Sequence, residues 1–156
     1  MSRVVSAIAL GASLMVGLTA VAQTPAPPAF QPGLGDLMTA FVQPRHIKLG
    51  LGGQTRNWDY AAYEWDELNE TFELIEKQVP RYHDVAMSDL LQIVKEPMSA
   101  LEAAIKARDG GQFDAAYVRL TDACNACHQS TDHKMIVIQV PNAAAFPDQN
   151  FAPFAR

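Results

Sequence analysis

Residues 112–129 read QFDAAYVRLTDACNACHQ. Phe113, Ala116, Tyr117, Leu120, Ala123 and Cys124 recur at steps of three and four, the spacing of one helix face. The helix closes on Cys124-Asn125-Ala126-Cys127-His128, which holds both cysteines of the chain. A thiol–disulfide pair of the redox type belongs at the start of a helix beside a βαβ unit, where the helix N-terminus lowers the thiol pKa. This pair sits at a helix end. A structural zinc site wants four ligands, commonly two cysteine pairs. His133 could be a third or fourth ligand, but Cys127 and His128 are adjacent and no second pair exists.

The spacing C-x-x-C-H matches covalent haem attachment. Residues three and four apart share a helix face. Cys124 and Cys127 are therefore expected to form thioethers to the two vinyl groups of one haem c. His128, four after Cys124, is expected to turn its imidazole to the iron.

Outward from this helix the pattern stays helical. Leu34, Leu37, Met38, Phe41, Val42 and Leu49 mark a first element, interrupted by Pro44 and ended by Gly52-Gly53-Gln54. Pro44 predicts either a kink or a second piece that starts with proline in its first turn. Asn57 is expected to cap a second helix, Trp58 to Val79, with Trp58, Ala62, Trp65, Leu68, Phe72, Ile75 and Val79 along a near-heptad seam. Its acidic residues, Glu64 among them, read as a solvated face. A third helix is predicted from Asp89 to Arg108, with Leu90, Val94, Met98, Leu101 and Ile105 inward and Pro97 awkwardly placed. Asp109-Gly110-Gly111 reads as the turn before the fourth. The fold class is therefore all-α, and short links predict an antiparallel up-down-up-down four-helix bundle over residues 34–129. Residues 130–156 are expected to form an extended C-terminal tail strapped across it, with a lesser chance of covering the cofactor's edge.

The first 22 residues have the form of a cleavable signal peptide: Arg3, an apolar run from Val4 to Leu18, then Ala20-Val21-Ala22. Residues 23–33 are a Pro-rich leader. Export to the periplasm is expected, with no stable membrane span after cleavage. In that oxidising setting free thiols rarely stay free. The net charge of −5 argues against nucleic acid as a partner.

Only 28 residues follow His128, too few for a later methionine ligand of the kind used by small carriers with an N-terminal motif. Four helices with CNACH near the end of the last resemble the cytochrome c′ family and its methionine-ligated branch. QPRHIKLGLGG, NWDYAAYEWDELNE and LTDACNACHQS look like exported monohaem proteins related to that group. The resemblance implies one haem and, by analogy, a possible homodimer through the first two helices, near Trp58 and Tyr63. The residues behind His128, Gln129-Ser130-Thr131-Asp132, depart from the aromatic and basic pair usual there.

The sixth iron position separates two functions. Methionine gives a one-electron carrier between redox partner proteins. An open iron gives small-gas (NO or CO) binding. Met38 lies about one turn into its helix, level with His128 if the first and last helices are antiparallel. It is the expected ligand, with core packing as its other reading. His46, ~12 Å further along the axis at 1.5 Å per residue, is the alternative. His83 and His133 read as surface or packing histidines. Arg45, seven residues after Met38, is a candidate for a haem propionate, or else a solvated arginine. Tyr117 and Leu120 are expected to line the haem pocket. No Glu-x-x-His occurs for a di-iron site, and no enzymatic role is expected.

Overall fold

A computed structural model describes residues 30–142, 146 and 148–153, and the compact unit that begins at Gln31 is the subject below. The expected signal peptide and most of the expected leader, like Phe154, lie outside the described residues.

Among the described residues the chain is all-α apart from one small hairpin. Helix α1 (Leu34–Leu37) runs without a break through a π-helical turn, Met38–Val42, into α2 (Gln43–Gln54). Asp36 accepts a hydrogen bond from the Gly33 N–H (3.0 Å) and so ties down the start. Pro44 lies in the first turn of α2. Having no N–H, and a ring that crowds the carbonyl four residues before it, it cannot continue the α ladder from α1. The widened turn resolves this. The Gln43 N–H bonds back to the Met38 carbonyl, five residues earlier, and Pro44 then starts a new α segment. Phe41, expected inside, is left exposed.

Asn57 caps α3 (Trp58–Gln78), its side-chain oxygen accepting from the Tyr60 N–H at 3.3 Å. Leu68, Phe72 and Ile75 of the predicted seam are buried, and Trp58, Ala62, Trp65 and Val79 are partly so. Glu64 corrects the expectation of a uniformly solvated acidic face. It is 3% exposed and accepts a 2.6 Å hydrogen bond from the Tyr60 hydroxyl. The residues after Pro80 form a hairpin that periodicity did not foresee, β1 (Arg81–Tyr82) paired antiparallel with β2 (Val85–Ala86). His83, at φ 49°, occupies its turn.

The predicted third helix is two pieces, α4 (Met87–Leu90) and α5 (Gln92–Ala107), separated at Leu91. Val94, Met98, Leu101 and Ile105 are buried as read, and Pro97 sits inside α5. Arg108, at φ 54°, makes the turn alone. Asp109 is then the cap of α6 (Gly110–Ser130), accepting from the Gln112 N–H at 3.0 Å. That bond, the largest influence on it, holds the Asp109 carboxyl below its usual pKa. The glycine pair therefore belongs to the helix and not to the link.

Helix α2 packs on α3, α3 on α5, α5 on α6, and α6 on α2. Close approach of α2 to α6 depends on Gly50 and Gly53. A Cβ on Gly50 would lie 2.6 Å from the Tyr117 ring, and one on Gly53 would lie 2.0 Å from Phe113. The tail does strap across the helices. Phe151 is buried with its ring edge-on to Tyr60, and its carbonyl accepts from Thr55 (2.7 Å) and Asn57 (3.1 Å). Among the described residues no helix is long and apolar enough to cross a membrane.

Candidate functional site

The end of α6 faces a cavity of about 450 Å³, within the usual range for small-molecule and cofactor sites. Cys124, Cys127, His128 and Thr131 line it, at steps of three, four and seven from Cys124, so one helix face supplies them all. Leu34, Met38, Val42 and His46 line the opposite element. Their period is four, and a straight α-helix at 3.6 residues per turn would rotate the last of them out of line. The π turn at Met38–Val42 takes up that drift. Met87, Leu90, Leu91 and Val94 supply a further apolar wall. The last wall is the tail, through Ile136, Val137, Ile138 and Gln139.

His128 is the most informative residue of the site. Its Nδ1 lies 2.8 Å from the Ile136 carbonyl oxygen. A carbonyl only accepts, so Nδ1 carries a proton; in the neutral imidazole the lone pair then sits on Nε2, the tautomer found in metal-bound histidines. His133 also lines the cavity, with Nδ1 2.6 Å from the Thr131 carbonyl and its ring against Tyr82.

The two thiols are free and line the same cavity. Burial pushes Cys124 up to about 12 and also raises Cys127. Neither is a thiolate at neutral pH, so the pair lacks the low-pKa nucleophile that disulfide exchange uses. Among the described residues no group of three or more His, Cys, Asp or Glu side chains is placed to hold a bare metal ion.

The other candidates fall in different places. Met38 is partly buried and lines the cavity. His46 lines it too, but both ring nitrogens are spent inside the protein. Nδ1 lies 3.0 Å from the Tyr117 hydroxyl and Nε2 3.2 Å from the Thr121 hydroxyl. Tyr117 and Leu120 do not line the cavity, contrary to expectation. Both are buried in the core behind it, where Tyr117 stacks on Phe113 and donates to the His46 carbonyl at 2.6 Å. Arg45 also lies elsewhere: its guanidinium pairs with Glu67 of α3, because the residue before His46 points to the neighbouring helix. The tail's wall agrees with the second of the two roles expected of it, covering one side of the pocket, while the Ile136 acceptor was not read from the sequence.

Compared with protein-family models, with curated proteins and with solved structures, the chain matches none.

His46 makes the stability of the protein depend on pH. Burial lowers its pKa to about 4 from an ordinary 6.5. The unfolded chain therefore binds a proton between these values that the folded chain refuses. Stability is full above pH 6.5 and falls as pH drops toward 4. The expected loss between pH 7 and pH 5 is about 2 kcal/mol. Urea midpoints at the two pH values check it, and the loss should shrink in His46→Gln. An unchanged pH dependence in that variant would assign the effect to other groups.

Proposed function

We propose that this protein is an exported monohaem c-type cytochrome that carries single electrons in the periplasm between larger redox proteins. The observation that supports it is the convergence of Cys124, Cys127 and His128 on one apolar-walled cavity, with the His128 Nδ1–H engaged by the Ile136 carbonyl. The residues suit the group. Two sulfurs and one imidazole come from a single helix face, and an iron already held by a porphyrin needs only one or two protein ligands, not a cluster of them. A haem bound here supplies reversible one-electron redox chemistry.

The chain's own residues do the rest. Cys124 and Cys127 are the tethering atoms. His128 is the proximal ligand, oriented by Ile136. Met38 is the candidate second ligand, carried by the π turn on the far wall, and such turns recur at functional sites. His46 is a poor competitor, since freeing either ring nitrogen breaks a buried hydrogen bond, at roughly 1–3 kcal/mol. Leu90, Leu91 and Val94 give the cavity an apolar wall. This reading treats α1–α2, α3, α5 and α6 as an antiparallel up-down-up-down bundle of the cytochrome c′ kind. Short links join α2 to α3 and α5 to α6, which pack as neighbours, and the hairpin with α4 connects α3 to α5.

Visible and magnetic-resonance spectra of the matured protein test the assignment. A low-spin spectrum is expected in the wild type, with conversion to high-spin in Met38→Ala. Conversion to high-spin in His46→Gln with Met38→Ala left unchanged would transfer the ligand role to His46. A wild type that is already high-spin and binds carbon monoxide rapidly would replace the carrier by a gas-binding protein.

A further inference from the structure

Asn125, the first variable residue of the C-x-x-C-H motif, makes two hydrogen bonds to one residue of the tail. Its Nδ2 donates to the Ile138 carbonyl (2.9 Å), and its Oδ1 accepts from the Ile138 N–H (2.8 Å). Both backbone groups of Ile138 are thus satisfied by one amide, as a neighbouring strand would satisfy them. Two residues earlier, the Ile136 carbonyl receives the His128 Nδ1–H.

The geometry of the two chains explains why these bonds occur together. Asn125 and His128 are three apart and share a face of α6. Ile136 and Ile138 are two apart, and in an extended chain residues i and i+2 turn the same edge sideways. One edge of the tail therefore lies along one face of the helix, running in the opposite direction. Before Ile136 the turn out of α6 is held by its own backbone, with His133 N–H donating to the His128 carbonyl (2.7 Å) and Ile136 N–H to the His133 carbonyl (2.8 Å); beyond it the ties are few. Val137 is 75% exposed, and the next tie is Gln54 Nε2 donating to the Pro141 carbonyl at 2.9 Å. Beyond that turn, the Asn125 amide is the tie that fixes Ile138, and with it the chain leaving Ile136, against α6.

We infer that Asn125 is a positioning residue, which clips the tail in register so that the Ile136 carbonyl holds the His128 imidazole with its proton on Nδ1 and Nε2 turned to the cavity. The redox consequence rests on the haem reading above, while the clip and its control of the histidine do not. A histidine that donates to a carbonyl is a more electron-rich ligand. Losing the acceptor weakens it and favours reduced iron, so the reduction potential rises.

The test has one arm that needs no haem. In the wild type, nitrogen-15 spectra of His128 should show the Nδ1–H tautomer, and hydrogen exchange should find the Ile138 amide protected. In Asn125→Ala, protection at Ile138 should fall at least tenfold and His128 should become a mixture of tautomers. Asn125→Gln, which keeps the amide on a longer arm, should recover part of both. In haem-loaded protein, Asn125→Ala should shift the oxidised-to-reduced ratio at fixed poise about tenfold, or about 59 mV for one electron. An unprotected Ile138 amide in the wild type overturns the inference without touching the haem assignment, as does a His128 tautomer that ignores Asn125→Ala. Protein that lacks covalent haem overturns the assignment and leaves the tautomer arm to judge the clip.

Discussion

Cys124→Ala/Cys127→Ala, matured in a periplasm able to attach haem, is expected to yield a folded polypeptide with the mass of the bare chain. The wild type should carry one haem per chain through denaturation and acid extraction, because thioethers survive both. The effect is all-or-none, since no other sulfur of the cysteine type exists in the sequence. Folding should persist in the double variant. Each change removes one sulfur from the wall of an existing cavity and leaves the packed core of Phe113, Leu120 and Leu101 intact, at a cost of about 1 kcal/mol each. His128→Ala should separate tethering from coordination, keeping the mass of the haem-bearing chain while losing the low-spin spectrum. Mass spectrometry of intact protein is the measurement. A bare-chain mass for wild-type material from such a host would end the cytochrome reading.

The largest expected effect on stability comes from Gly53→Ala. Within a helix, alanine ordinarily improves on glycine by roughly 1 kcal/mol. At Gly53 the sign should reverse. The added methyl would meet Phe113 Cε1 and Cζ at 2.0 Å, far inside contact distance. Phe113 has no room to retreat: it is 1% exposed, stacked on Tyr117 at 5.9 Å and edge-on to Trp58 at 5.9 Å. Overpacking of this kind costs about 1–3 kcal/mol, and the short contact argues for the upper end. Gly111→Ala is the control, because its Cβ meets nothing closer than Asp109 at 3.5 Å. Urea unfolding of both variants decides the matter. A Gly53→Ala midpoint equal to the wild type would mean that α2 and α6 do not approach as closely as described.

Much of the helical frame was legible because apolar spacing reports the buried face directly. Leu68, Phe72 and Ile75, then Val94, Met98, Leu101 and Ile105, were read from steps of three and four and are buried. The failures have separate physical causes. Glu64 looked like one of many surface acids, yet it is buried and accepts from the Tyr60 hydroxyl one turn earlier in α3, an i, i+4 pair that the acidic pattern of the helix masked. Tyr117 and Leu120 share the stripe that carries Cys124, so periodicity assigned them to the pocket. The stripe in fact passes from core to cavity within a turn, and only its last residues reach the open space. Arg45 was placed by a seven-residue step that ignored the π turn lying between it and Met38. That turn had a signature all the same: Leu34, Met38, Val42 and His46 repeat every fourth residue, about 0.4 residue wider than the α-helical turn, across a proline at 44. Among the site residues, Cys124, Cys127 and His128 were legible from spacing alone. Nothing local to the motif announced the Ile136 acceptor, since a backbone carbonyl leaves no mark in a sequence.

The order of synthesis matters for a cavity whose final wall follows its motif. A chain emerging from its N-terminus completes α6 while residues 136–139 and the Phe151 anchor are still to come. During that interval both sulfurs and the imidazole stand on an open groove, reachable from the side that is later shut. Chemistry on the thiols is then easiest before the protein has finished folding, and the closing of that last side seals in whatever has been joined to them.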